Sequence, residues 1–269
     1  MYVTACVAAL WMLAGRALRV DALAFAFLAS VATYLLDRVK LRDADLDPSD
    51  TMSHPARAAF MRAHSRSMRA LVALSALGAV SIALLRAPIA ALLAPAALLG
   101  VAFYARSRTR YPWRPKDVLQ LKNLSVAAAV TAFALALLLL FGDGPIVATL
   151  LDAAIPAVFL AQTVFADALL CDIDDLDADA RFGTRTIPVR FGVRRAEFAA
   201  LALKSASALW PALIALQSGI TIPVGLVWVI LPTPVALLAI RTCRGNYRDA
   251  VDLSMAPICL VSWIVASIV

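Results

Sequence analysis

Charge is scarce in this chain. Asp, Glu, Lys and Arg make up 16% of its 269 residues, against about a quarter in soluble domains. Cysteine is equally sparse: Cys6, Cys171, Cys243 and Cys259 are scattered with no CxxC pair, which argues against a disulfide framework or a zinc site. No stretch alternates apolar and polar residues at strand period, and no tail has low complexity. The first apolar run, "YVTACVAALWMLAG", lacks the basic flank and cleavage site of a signal peptide and reads as a retained helix.

What is abundant is apolar surface. The chain is 62% hydrophobic, with a mean hydropathy of +0.84. Runs such as "ALVALSALGAVSIALL" and "SVAAAVTAFALALLLLF" approach the length needed to cross a hydrocarbon core of ~30 Å. Repeated down the chain, they predict an all-α integral membrane protein. Leu- and Ala-rich runs of this length do not suit barrel strands. About nine helices are expected in one bundle, over 2–17, 21–40, 59–85, 88–105, 117–141, 145–171, 194–217, 221–240 and 249–268. Residues 1–269 thus read as a single polytopic membrane domain.

The loops after the second, fourth, sixth and eighth of these helices hold nearly all the loop Lys and Arg, including Arg106, Arg244 and Arg248. By the positive-inside rule those loops are cytoplasmic, with the N-terminus inside and the C-terminus outside. The net charge of +7 is therefore explained by membrane topology, and no nucleic-acid partner is expected.

The acidic residues gather on the same side. Asp37, Asp43, Asp45, Asp47 and Asp50 follow the second helix, and Asp172, Asp174, Asp175, Asp177 and Asp179 follow the sixth. Crowded carboxylates repel one another unless a hard cation sits among them. Mg²⁺ is usually held by one or two carboxylates together with substrate phosphates, and neighbouring guanidinium and ammonium groups suit the remaining phosphate oxygens. A calcium loop fails on detail. "DADLDPSD" and "DLDADA" put Pro48 and Ala180 where that loop needs Gly, and His54 and Thr186 where it needs Glu. The spacing of Asp175 and Asp179 predicts one shared helical face, with Asp172 near it. Gly183 is expected to turn the chain with a positive φ.

The stretch "DIDDLDADARFGTRTIPVRFG" closely resembles the second aspartate motif of the UbiA superfamily of intramembrane prenyltransferases, D-x-x-D-x-x-x-D followed by G-x-x-T-x-P. The helix layout, with Asp motifs at the cytoplasmic ends of helices 2 and 6, resembles the family as well. The resemblance implies Mg²⁺-dependent transfer of a prenyl group from a polyprenyl diphosphate to a small or lipidic acceptor, often aromatic, within membrane lipid, here a bacterial inner membrane. It implies catalytic roles for Asp37, Asp175, Asp179 and Tyr104. It assigns metal ligation to Asp37, Asp43, Asp172, Asp175 and Asp179, and diphosphate binding to Arg38, Arg57, Arg108, Lys116, Lys122, Arg181 and Arg185. Tyr104 and Arg108 stand in for the family's Y-x-x-x-K. Tyr34, Phe103, Tyr104, Phe133, Phe159 and Phe165 are candidates to line a prenyl pocket, and His54 is a candidate ligand or base.

The first motif departs from the family's N-x-x-x-D-x-x-x-D. In "TYLLDRVKLRDADLDPSD", Asp37-Arg38 keeps the centre, but Thr33 replaces the Asn and Leu41 the last Asp. Asp43, Asp45 or Asp47 could replace the missing ligand, or the site binds a single metal. A non-catalytic lipid-binding or assembly protein with a decayed first motif is the alternative. Asp167 and Gln162 interrupt an otherwise apolar helix and point to a water-lined cavity at depth, or, for Asp167, which lies about one turn from Asp172, to the interface.

Overall fold

The computed structural model describes residues 2–42, 45–104, 117–119, 121–207, 209–210, 247–248 and 251. Among them every regular element is helical: α1 Tyr2–Leu13, α2 Val20–Val39, α3 Pro48–Ser53, α4 Pro55–Ala63, α5 Ser65–Arg86, α6 Leu93–Tyr104, α7 Leu121–Phe141, α8 Ile146–Asp174, α9 Leu176–Phe182, α10 Ile187–Phe191 and α11 Val193–Ser207. A short 3₁₀ turn, Pro88–Leu92, leads into α6. Four helices, α2, α5, α7 and α8, are long and apolar enough to cross a membrane.

The expected helix over 59–85 is two helices. The polar run around His64 ends α4, and α5 starts at Ser65. Proline opens α3 and α4, where its missing N–H costs nothing. Only the first part of the expected 194–217 helix is described, and the spans 221–240 and 249–268 lie outside the described residues.

Alanine brings the helices close together. Ala22, Ala26 and Ala29 of α2 are buried with Ala79 and Ala83 of α5, the small-residue packing by which helices associate where lipid removes any hydrophobic drive. Phe25 stacks on Phe133 at 6.1 Å and meets Phe141 at 5.7 Å between ring centres, tying α2 to α7. The opposite side of α5 presents Leu74, Leu77, Leu84 and Leu85, each more than half exposed. Such a stripe suits lipid rather than water. At 29 residues, α8 measures about 43 Å, longer than the hydrocarbon core. A helix of that length can span the core and still leave a charged turn such as the one bearing Asp172 outside it.

Candidate functional site

The last turn of α2, the loop helix α3, the start of α7 and the end of α8 meet around a cavity of ≈ 630 Å³. Asp37, Arg38, Asp50, Tyr104, Lys122, Asn123, Asp172, Asp175, Asp179 and Arg248 supply its polar lining. Val31, Val126, Val164 and Ala168 continue it inward as apolar wall. Carboxylates from the two Asp-rich stretches thus face one space, as the sequence suggested.

The Asp-rich stretch after α8 does not run on as one helix. Asp175 sits at φ −94°, ψ 6°, ending α8 and preceding α9. The Asp179 N–H still donates to the Asp175 carbonyl at 2.8 Å, so the two residues share one helical turn and line the same cavity, but the three carboxylates divide between two cations. The Lys122 ammonium bridges Asp172 at 2.8 Å and Asp179 at 3.1 Å, while Asn123 donates to the other Asp172 oxygen at 2.9 Å. Asp175 turns to Arg248, whose guanidinium donates to it at 2.9 Å. Gly183 ends α9 at φ +69°, as expected, and folds Thr184 back so that its N–H donates to the Asp179 carbonyl at 2.9 Å.

Burial pushes the Asp179 carboxyl up to about 6, and repulsion from Asp172 adds to this while Lys122 opposes it. Asp175 is buried as well, but Arg248 and Lys122 outweigh burial and hold its carboxyl below the usual range. Cations lower both carboxyls; at Asp175 they outweigh burial, whereas at Asp179 burial and the neighbouring Asp172 win.

On the α2 side, Lys40 donates to Asp37 at 2.6 Å and Arg38 to Asp50 at 2.5 Å. Lys40 is the one non-glycine among the described residues with positive φ, +50°. Arg69 of α5 fixes that turn by donating to the Lys40 carbonyl at 3.0 Å. Thr33 donates to the carbonyls of Ala29 and Ser30 in its own helix, and Leu41 is 73% exposed. Asp47 accepts from the Ser49 N–H and caps α3; it is Asp50 that lines the cavity. Asp43 lies outside the described residues, as do Arg108 and Lys116.

Arg57 stands beside this group, sharing a small recess with Arg38 and Asp50. Its Nη2 and the Arg38 Nε are buried without a hydrogen-bond partner among the described residues. Burial and then the facing Arg38 hold the Arg57 guanidinium below its ordinary pKa. The Arg38 Nε faces the Asp37 carboxylate at 3.8 Å. Arg181 and Arg185 are exposed and line no part of the cavity. Of the aromatic candidates, Tyr34 and Tyr104 line the cavity. Phe133 stacks in the core and Phe159 is buried, whereas Phe103 is 57% exposed.

His54 is an acceptor for Arg248, at 2.7 Å from its Nε2. Arg248 also donates its backbone N–H to Asp174 at 2.8 Å. Sequence reasoning counted Arg248 only among the topology-setting charges, and passed over Asn123 and Asp50 as site residues. Position in a basic loop carries no sign that an arginine folds back onto the second Asp stretch.

The UbiA prenyltransferase family model matches residues 1–256. The chain belongs to the UbiA prenyltransferase family. A UbiA homolog from Aeropyrum pernix K1, solved in its apo form, superposes with a TM-score of 0.68 at 19% identity, covering 100% of this chain and 98% of that one. A structure concerning digeranylgeranylglyceryl phosphate synthase in membranes superposes with a TM-score of 0.57 at 11% identity, covering 100% and 94%. At these identities the likeness shows a UbiA-like fold. No curated protein sequence matches the chain.

Proposed function

We propose that this UbiA-family chain transfers a prenyl group from a polyprenyl diphosphate to a lipophilic or aromatic acceptor, with Mg²⁺ assisting at the Asp-lined cavity. One observation carries the reading. Carboxylates and cations from distant parts of the chain line the same ≈ 630 Å³ space that continues between Val31, Val126 and Val164. A charged head group joined to a hydrocarbon tail needs that adjacency.

The donor chemistry suits Mg²⁺ in company with a diphosphate. Among the described residues no three His, Cys, Asp or Glu side chains cage an ion by themselves, and Mg²⁺ does not require it, since one or two carboxylates suffice beside phosphate oxygens. Asp37, Asp172, Asp175 and Asp179 would hold it. When bound, Mg²⁺ stabilises the negative charge of the departing diphosphate.

The chain's own cations share that task. Arg38, Arg57, Lys122 and Arg248 offer charge-assisted hydrogen bonds to phosphate oxygens, strongest as the allylic C–O bond ionises and charge builds on the leaving group. The faces of Tyr34 and Tyr104 on the cavity wall suit an allylic cation. The apolar wall keeps water away from that cation, so that it meets the acceptor first. With basic loops on the cytoplasmic side, the cavity opens inward, in a bacterial inner membrane.

Purified protein in lipid nanodiscs with labelled geranylgeranyl diphosphate tests this. Mg²⁺-dependent release of diphosphate or transfer of the prenyl group is expected, and Asp175→Asn should remove it. Mg²⁺-dependent binding with no release across a broad acceptor panel would favour the non-catalytic alternative. No binding at all would sink the assignment of the cavity.

A further inference from the structure

Lys122 occupies an unusual place. Its ammonium sits between Asp172 and Asp179, within hydrogen-bonding distance of both, where a divalent ion shared by two carboxylates would otherwise lie. Asp172 has both oxygens engaged, one by Lys122 and one by Asn123, and its side chain is only 3% exposed. An octahedral Mg²⁺ needs its ligands at about 2.0–2.1 Å. It cannot share these oxygens while a like charge sits between them.

Electrostatics point the same way. Two carboxylates and one ammonium leave a single net negative charge in the nook, too little to strip water from a bare Mg²⁺, which dehydrates reluctantly. An arriving diphosphate changes both terms. It brings negative charge for the metal, and oxygens that Lys122 can reach on its flexible four-carbon stem.

Resting on the functional reading above, we infer that Lys122 is a resident cation. It neutralises Asp172 and Asp179 in the empty site and moves onto the diphosphate when substrate arrives, so the site takes up a divalent cation only together with its diphosphate. In this role Lys122 is a positioning residue that imposes joint loading of metal and substrate. It also keeps two buried carboxylates compatible with the fold while no substrate is bound.

Mn²⁺ binding by equilibrium dialysis and electron paramagnetic resonance tests this directly, at matched free Mn²⁺, with and without inorganic diphosphate. Wild-type protein should bind Mn²⁺ about 10-fold or more tighter when diphosphate is present, within the usual range of coupling between two ligands. Lys122→Met should bind Mn²⁺ alone about 10-fold or more tighter than wild type and lose most of the coupling. If Lys122→Met does not fold, Lys122→Gln, which keeps a donor but no charge, should show the same gain. Strong joint binding in wild type with no gain in a folded Lys122 variant overturns this inference alone. Equal Mn²⁺ affinity with and without diphosphate in wild type also overturns it. Absence of Mn²⁺ and diphosphate binding under all conditions overturns the functional reading on which it rests.

Discussion

Arg248 and Asp175 are joined at 2.9 Å, and the same guanidinium reaches His54 at 2.7 Å. One arginine thereby links the loop between α3 and α4 to the carboxylate that separates α8 from α9. Both side chains of the ion pair are less than a quarter exposed. Removing the guanidinium costs Asp175 its partner and the site a phosphate donor. Hydrogen bonds to charged groups contribute about 1.5–3 kcal/mol, so Arg248→Ala should weaken Mg²⁺-dependent diphosphate binding about 10- to 100-fold. Arg248→Lys should recover only part of this, because an ammonium lacks the planar fork that spans two partners. Titration with inorganic diphosphate at fixed Mg²⁺ measures both, and unchanged affinity in Arg248→Ala would remove Arg248 from the site.

A second ion pair lies deeper. Lys204 of α11 meets Asp167 of α8 at 2.5 Å, both side chains being almost wholly buried, and Tyr2 donates to the other Asp167 oxygen at 2.7 Å. Three helices are thus tied at one carboxylate. Leaving one buried charge unpaired costs about 3–5 kcal/mol, whereas replacing both partners by apolar residues is often neutral or stabilising. Lys204→Met should therefore lower the thermal midpoint sharply, and adding Asp167→Leu with Tyr2→Phe should restore most of it. Melting of the detergent-solubilised variants decides. A triple variant no better than Lys204→Met would show that the network has a role beyond mutual neutralisation.

Gly183 isolates a backbone effect. Its φ is +69°, and a Cβ built there has nothing within 4 Å. Gly183→Ala therefore suffers the left-handed conformation without any clash, a cost of about 1–2 kcal/mol. Gly183→Asn should cost less, because Asn enters that region more readily. Thermal unfolding should rank the three as Gly, Asn, Ala, and equal stabilities would mean that the turn relaxes to another conformation.

The fold was legible because lipid imposes a simple pattern: α2, α5, α7 and α8 are long apolar runs, and apart from the start of α5, which the His64 break sets at Ser65, their ends fall within a few residues of the expected spans. The carboxylates and Lys122 were legible because charge at the mouth of such helices is rare and expensive. What the sequence concealed is pairing. Nothing in "LKNLS" says that Lys122 bridges Asp172 and Asp179, or that Asn123 completes Asp172. Lys40, next to the vacant motif position Leu41, turns out to hold Asp37 from a positive-φ turn whose carbonyl accepts from Arg69. The break at Asp175 was hidden for a related reason. Spacing carries no sign that Asp174 accepts from the backbone N–H groups of Tyr247 and Arg248, or that Asp175 accepts from the Arg248 guanidinium, at the junction of α8 and α9.

Protonation of His54 offers a reading of how the α3–α4 loop is held. Burial, and then the facing guanidiniums of Arg57, Arg248 and Arg38, hold the imidazole below its ordinary pKa, with Asp175 alone opposing them. A neutral Nε2 is what Arg248 requires as an acceptor. A depressed histidine pKa means that the unfolded chain binds more protons than the folded one below about pH 6.5. The contribution of His54 to stability is thus complete above that pH and is lost as the pH falls towards the folded value. Glutamine keeps an acceptor for Arg248 and does not titrate. His54→Gln should therefore gain stability relative to wild type between about pH 7.5 and pH 5.5, whatever its offset at neutral pH. Paired melting curves at the two pH values read that difference directly, other titrating groups being common to both proteins. A constant offset would show that folding leaves the His54 pKa unchanged, and one that grows more unfavourable in acid would show that the folded protein favours the protonated imidazole; either overturns its role as the acceptor for Arg248.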